Sequence, residues 1–122
     1  MMKMSEIEAL LKARRLFDTF ALEKEVEYVL ASDLMSDVLA FALAASLLIT
    51  GLTNIQIVRT ATMLDMTGIV FVRNKHPLEE AATLARKLDI PVLLCKKSMF
   101  ETCGLLYQAG LKPCTICCEE SD

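Results

Sequence analysis

The sequence predicts an α/β fold: a three-layer sandwich in which a mostly parallel central sheet is flanked by helices. Three observations predict it. From Leu47 to Gly110 a buried run, a short polar loop and a capped amphipathic segment follow one another three times. The run Gly68–Val72 is continuously apolar, as a strand covered by helices on both faces must be. The segments after the runs carry apolar residues at helical spacing, with acidic side chains early and basic ones late.

The elements follow in order. Ser5 and Glu8 have the spacing of a capping box, and Ile7, Leu10 and Leu11 line one face of a helix to about Ala13. A short strand near Arg15–Phe17 and a polar connection over Leu22–Glu25 come next. Val26, Tyr28 and Leu30 then alternate with Glu27, a strand pattern of period two. Ser32, Asp33, Ser36 and Asp37 offer short acceptors that suit the start of a helix continuing through Val38 to about Ala45. The stretch Val38–Ile49 is the most apolar in the chain, so this helix is expected to be buried and to run into a strand at Leu47–Thr50. It is about half the roughly 20 residues that a bilayer span needs. No membrane partner is expected.

Thr53 and Gln56 form a second capping box for a helix reaching about Leu64. Pro77 suits the first turn of the next helix, whose buried stripe reads Leu78, Ala81, Ala82, Ala85 and Leu88. Ile90–Cys95 is the last strand of the series. Ser98 with Glu101 caps the helix after it, and Gly110 stops that helix.

At 122 residues the chain has room for one domain, drawn here as 1–111, with a cysteine-containing segment over 112–122. Hydrophobic residues make up 54% and the mean hydropathy is +0.44, more apolar surface than a lone domain of this size hides, so a homodimer is expected. The net charge of −3 argues against a nucleic-acid partner, which needs a basic face across many phosphates. The first residues lead directly into an acidic amphipathic helix, and the cysteine count of five is odd. Both observations point to reduced thiols and a cytoplasmic location.

Function is less legible. In a parallel sheet the strand-to-helix loops emerge at one edge, where ligands bind. Here the loops are Thr50–Asn54, Arg73–His76 and Lys96–Ser98. Arg73, Lys75, Lys96 and Lys97 together with helix N-termini suit an anion, with Thr50, Asn54, Asn74 and Ser98 as hydrogen-bonding neighbours. The bland reading is that the lysines are solvated and the hydroxyls only cap helices. Ser36 and Asp37 complete the candidate set: Asp33 and Asp37, four apart, either share a helix side and hold a hard cation or receive a proton, or serve as a helix start.

His76, the only histidine, is read as an N-cap, a pH-sensitive ligand contact or an isolated general base. No nucleophile and acid accompany it in a catalytic pattern. Gly51-Leu52-Thr53-Asn54 lacks the second glycine and the lysine of a phosphate-binding loop, and no GxGxxG motif occurs, so nucleotide hydrolysis is not expected. Cys114, Cys117 and Cys118 form a C-x-x-C-C group, half of a zinc or iron–sulfur site that a second subunit would have to complete, or else an oxidisable tail. No resident cofactor is expected.

Taken together, the stretches Ala31–Ala40, Leu47–Asn54, Gly68–Lys75, Ile90–Cys95 and Ser98–Tyr107 resemble the DRTGG domain family. Leu52-Thr53-Asn54 and Val72-Arg73-Asn74 stand where the letters that name the family would be sought. The resemblance implies a three-layer α/β domain similar to the N-terminal domain of HPr kinase/phosphorylase, apart from that enzyme's kinase site. It implies a regulatory or adaptor module without catalysis that pairs as a dimer. Such modules stand beside CBS domains in pyrophosphatases, or alone in anaerobes near hydrogenase or ferredoxin-type genes. A signalling or redox-enzyme partner is therefore expected, either for a sensor of an anionic metabolite or nucleotide or for an accessory of metal or iron–sulfur systems that uses the C-terminal cysteines.

Overall fold

In the computed structural model, which describes residues 1–114, the chain runs β1 (Met2–Lys3), α1 (Met4–Leu11), β2 (Arg14–Arg15), a 3-10 turn (Phe20–Glu23), β3 (Glu25–Val26) and β4 (Tyr28–Ala31). It continues through α2 (Met35–Phe41), β5 (Leu47–Thr50), α3 (Ile55–Met63), β6 (Gly68–Phe71), α4 (Glu79–Leu88), β7 (Val92–Leu94), α5 (Met99–Gln108) and β8 (Lys112–Pro113). Six strands form one sheet in the order β2-β7-β6-β5-β4-β8, while β1 and β3 pair as a separate antiparallel ribbon. All neighbours in the large sheet are parallel except β2, which lies antiparallel on β7.

Side-chain alternation divides the core into two halves. Leu48, Ile69, Phe71, Val92 and Leu94 point to one face and pack with Val38, Ile57, Ala61, Ala81 and Ala85 of α2, α3 and α4. Leu47, Ile49, Val70, Leu93 and Cys95 point to the other and pack with Met4, Ile7 and Leu11 of α1 and Leu106 of α5. Successive residues of β5, β6 and β7 thus meet an apolar layer on either face, which is why these strands read as unbroken hydrophobic runs. The result is the expected three-layer sandwich.

Several local expectations shift. Helix α1 begins at Met4, ahead of Ser5, because the Glu6 carboxylate accepts the Lys3 backbone N–H at 2.8 Å; Lys12 ends it in the left-handed region at φ 53. The segment read as a polar connection overlaps the 3-10 turn, whose Leu22 is buried against α1. The strand read over 26–30 splits in two, Val26 pairing in the ribbon and Tyr28 onward in the main sheet. Asn54, one residue later than Thr53, caps α3 by accepting the Ile57 N–H at 3.1 Å.

Helix α2 is not the buried helix expected. Val38 is its one buried residue, and Leu34, Leu39 and Leu43 stay exposed, because α2 lies outside the sheet on one side only. Helix α4 starts at Glu79 rather than at Pro77, and its buried stripe narrows to Ala81, Ala82 and Ala85, with Leu78 and Leu88 about half exposed. The sheet continues into the C-terminal segment: Lys112 and Pro113 pair with β4, and the Cys114 N–H donates to the Val29 carbonyl at 2.9 Å. Among the described residues no helix is long and apolar enough to cross a membrane.

Candidate functional site

The C-terminal ends of the central strands lie level, with Thr50 beside Phe71 and Phe71 beside Leu94. Their loops therefore share one rim. The loops after β6 and β7 are joined directly, the Arg73 N–H donating to the Lys97 carbonyl at 2.8 Å and the Asn74 N–H to the Cys95 carbonyl at 3.0 Å. Arg73 and Asn74 both adopt left-handed backbone, φ 58 and 57, and the Lys75 N–H closes the turn on the Val72 carbonyl. That succession is a type I′ turn. Asparagine tolerates it well; arginine does so at some cost, offset here by its contacts.

Asp33 organises the middle of the rim. Its Oδ1 accepts the Gly51 N–H at 2.7 Å and the Thr50 hydroxyl at 3.3 Å, and its Oδ2 accepts Arg73 Nη2 at 2.9 Å. One carboxylate thus ties the ends of β4, β5 and β6. Gly51 is required by this arrangement, since a Cβ there would collide with the Arg73 guanidinium. Burial pushes the Asp33 carboxyl up, but the Gly51 N–H and the Arg73 guanidinium outweigh it and hold the group below its ordinary value.

Toward β2 the rim opens into a groove of about 670 Å³. Lys96 and Lys97 line it from the β7–α5 loop, Asn74 and His76 from the β6–α4 loop, Lys12 from the connection after α1 and Arg14 from β2. Leu94 forms its apolar wall, directly opposite Arg14 in the antiparallel pair. Lys97 is anchored, its Nζ donating to the Leu11 carbonyl at the end of α1 at 2.8 Å. Among the described residues no carboxylate lines the groove, so their side chains make its field positive on a protein of net charge −3.

The candidate residues accordingly separate. Asn74, Lys96 and Lys97 come together in the groove, joined by His76. Arg73 is held in the ion pair with Asp33, and Lys75 is exposed on the turn. The Thr50 hydroxyl is buried, donating to Asp33 and accepting the Leu52 N–H at 3.1 Å. Asn54 and Ser98 act as helix caps, Ser98 accepting the Glu101 N–H at 3.1 Å. Ser36 and Asp37 stand on the first turn of α2. Asp33 lies before α2 and faces Gly51 and Arg73, so neither alternative read for it forms: it does not cap α2, and it shares no helix side with Asp37. Ser32 does serve the approach to the helix, accepting the Leu34 N–H at 3.0 Å.

Lys12 and Arg14 escaped sequence reading. They lie some 80 positions before Lys96, and only the β2–β7 pairing brings them to the rim. Cys114 is buried against the α2 and α3 side of the sheet, while Cys117 and Cys118 lie outside the described residues. Among the described residues no three His, Cys, Asp or Glu side chains gather as a metal site.

A solved structure with a similar fold is that of the CBS and DRTGG domains of the regulatory region of Clostridium perfringens pyrophosphatase, complexed with its activator diadenosine tetraphosphate. The superposition has a TM-score of 0.72 at 18% identity and covers 88% of this chain and 46% of that one. The chain has a DRTGG-like fold. It spans about half the length of the solved structure that it matches, a regulatory region. No family model matches the chain, and the comparison with curated proteins finds no match.

Proposed function

We propose that this chain is a non-catalytic regulatory or adaptor module that binds an anionic metabolite, in particular a nucleotide, in the groove between β2 and the loops after β6 and β7. The observation that carries the reading is the lining: Lys12, Arg14, Lys96 and Lys97 converge there, with no carboxylate beside them among the described residues. A phosphate at about 4 Å from one such cation gains up to about 4 kcal/mol at the effective dielectric of a protein surface, less after screening by salt. The similar solved structure, a regulatory region with a bound nucleotide activator, supports the same class. The Asp33–Gly51–Arg73 contacts keep the neighbouring loops in place, so the groove is pre-formed.

The module works as a homodimer in the cytoplasm and passes its state to a partner protein. Exposed Leu34, Leu39, Leu43, Met63, Phe100 and Tyr107 support self-association, because a lone domain gains nothing by leaving them in water. Calorimetric titration with ATP and with diadenosine tetraphosphate tests the ligand, and native mass determination tests the dimer. Binding at micromolar to low millimolar concentration, lost in Arg14→Glu and Lys96→Glu, is the expected result. Absence of heat and of thermal stabilisation with either nucleotide refutes the ligand reading.

A further inference from the structure

Resting on that reading, we propose that the groove recognises a chain of three or more phosphates by its charge and is indifferent to the base attached to it. The side chains on its walls decide this. Lys12, Arg14, Lys96 and Lys97 are hydrogen-bond donors with no acceptor atom, matching phosphate oxygens, which in the ionised chain only accept. A nucleobase edge presents donors and acceptors together, and the groove answers it with little besides the Asn74 amide and the His76 ring.

Stacking, which favours any base and does not tell one from another, finds only the His76 ring here. Among the described residues neither a phenylalanine nor a tyrosine lines this groove, and Leu94 alone forms its apolar wall.

Charge sets the length of the chain. Lys12, Arg14 and Lys96 belong to none of the ion pairs among the described residues, which use Lys3, Arg15, Arg73 and Lys112. Lys97 spends one of its three donors on the Leu11 carbonyl and keeps its charge. A single phosphate leaves most of these cations without a counter-charge, whereas a triphosphate matches them. The cations also enter from two sides, Lys12 and Arg14 by way of β2 and Lys96 and Lys97 by way of β7, so an extended anion meets both walls.

Inorganic tripolyphosphate and the phosphate chain of a nucleotide share this chemistry, and a titration series separates the two sources. The full chain is titrated calorimetrically at one ionic strength with phosphate, pyrophosphate, tripolyphosphate, AMP, ATP and GTP. Expected is a rise of roughly tenfold in affinity per added phosphate up to tripolyphosphate, with ATP and GTP within about threefold of each other and of tripolyphosphate. Arg14→Gln, Lys12→Gln and Lys96→Gln, all at exposed positions, weaken tripolyphosphate and ATP by the same factor while the unliganded melting temperature stays unchanged. ATP binding without tripolyphosphate binding, or ATP and GTP differing by more than about tenfold, overturns the polyphosphate reading and leaves the anion site standing. If none of the six anions binds, the site itself is refuted.

Discussion

Replacing Asp33 by alanine removes one acceptor that serves three donors: the Gly51 N–H, the Thr50 hydroxyl and the Arg73 guanidinium. The Arg73 pair is open to solvent, its side chains 40% and 43% exposed, and such pairs contribute about 0–1 kcal/mol. The Gly51 bond is short and charge-assisted; bonds to a charged acceptor contribute about 1.5–3 kcal/mol, and the lower end applies because water can reach the freed N–H. Thr50 retains the Leu52 N–H and loses least. The sum is about 2 kcal/mol, a fall in melting temperature of roughly 6–10 °C for a chain of this length.

Asp33→Asn isolates the charge. It keeps an acceptor for Gly51 and weakens the Arg73 contact, so it loses about half as much, roughly 1 kcal/mol. The assay is urea unfolding at several pH values, read as a shift of midpoint at constant slope. Asp33 has its carboxyl held below the ordinary value in the fold, so its stabilisation is full above the unfolded pKa of about 3.9 and fades as pH falls through the lower, folded one. The gap between wild type and Asp33→Asn therefore narrows below about pH 4. An Asp33→Ala protein as stable as wild type at pH 7, or a gap that widens in acid, refutes the reasoning.

Two further outcomes follow, one from the same contacts and one from the Glu8–Arg15 ion pair. Gly51→Ala pushes the Arg73 guanidinium off Asp33 without touching the backbone, so it loses about 0–1 kcal/mol alone and almost nothing when Arg73 is already alanine; a double-mutant cycle by urea unfolding measures this. Glu8 receives the Arg15 guanidinium at 2.6 and 3.1 Å and the Arg15 N–H at 3.3 Å. The hydrogen bonds with Arg15 outweigh burial and hold the Glu8 carboxyl below its ordinary value. Glu8→Gln is expected to lose about 1–2 kcal/mol at neutral pH, a difference that disappears as pH falls below about 4. Equal losses at pH 7 and pH 3 contradict it.

The three strand–loop–helix units were legible because their signals are local. Continuous apolar runs, caps at fixed offsets and Gly110, which stands at φ 101, depend on neighbours within a few positions. Where such a signal was ambiguous, the error stayed small, as with Asn54 capping α3 in place of Thr53. The loop edge was legible for the same reason, since strand direction follows from helical crossovers. Amphipathicity was less informative at α2, where an apolar composition says nothing about whether a second layer lies outside it.

Asp33 marks the boundary between the two kinds of information. Next to a helix start it reads as a cap, and nothing nearby in the chain reveals otherwise. Its partners stand 18 and 40 positions away and meet it only because β4, β5 and β6 lie side by side with their ends level. Lys12 and Arg14 reach the groove through the antiparallel β2–β7 pairing in the same way. Periodicity and capping are properties of a few consecutive residues, so the chain alone specifies its elements and their layer architecture. Which charges stand together is set by strand order and register, which exist only once the sheet has formed.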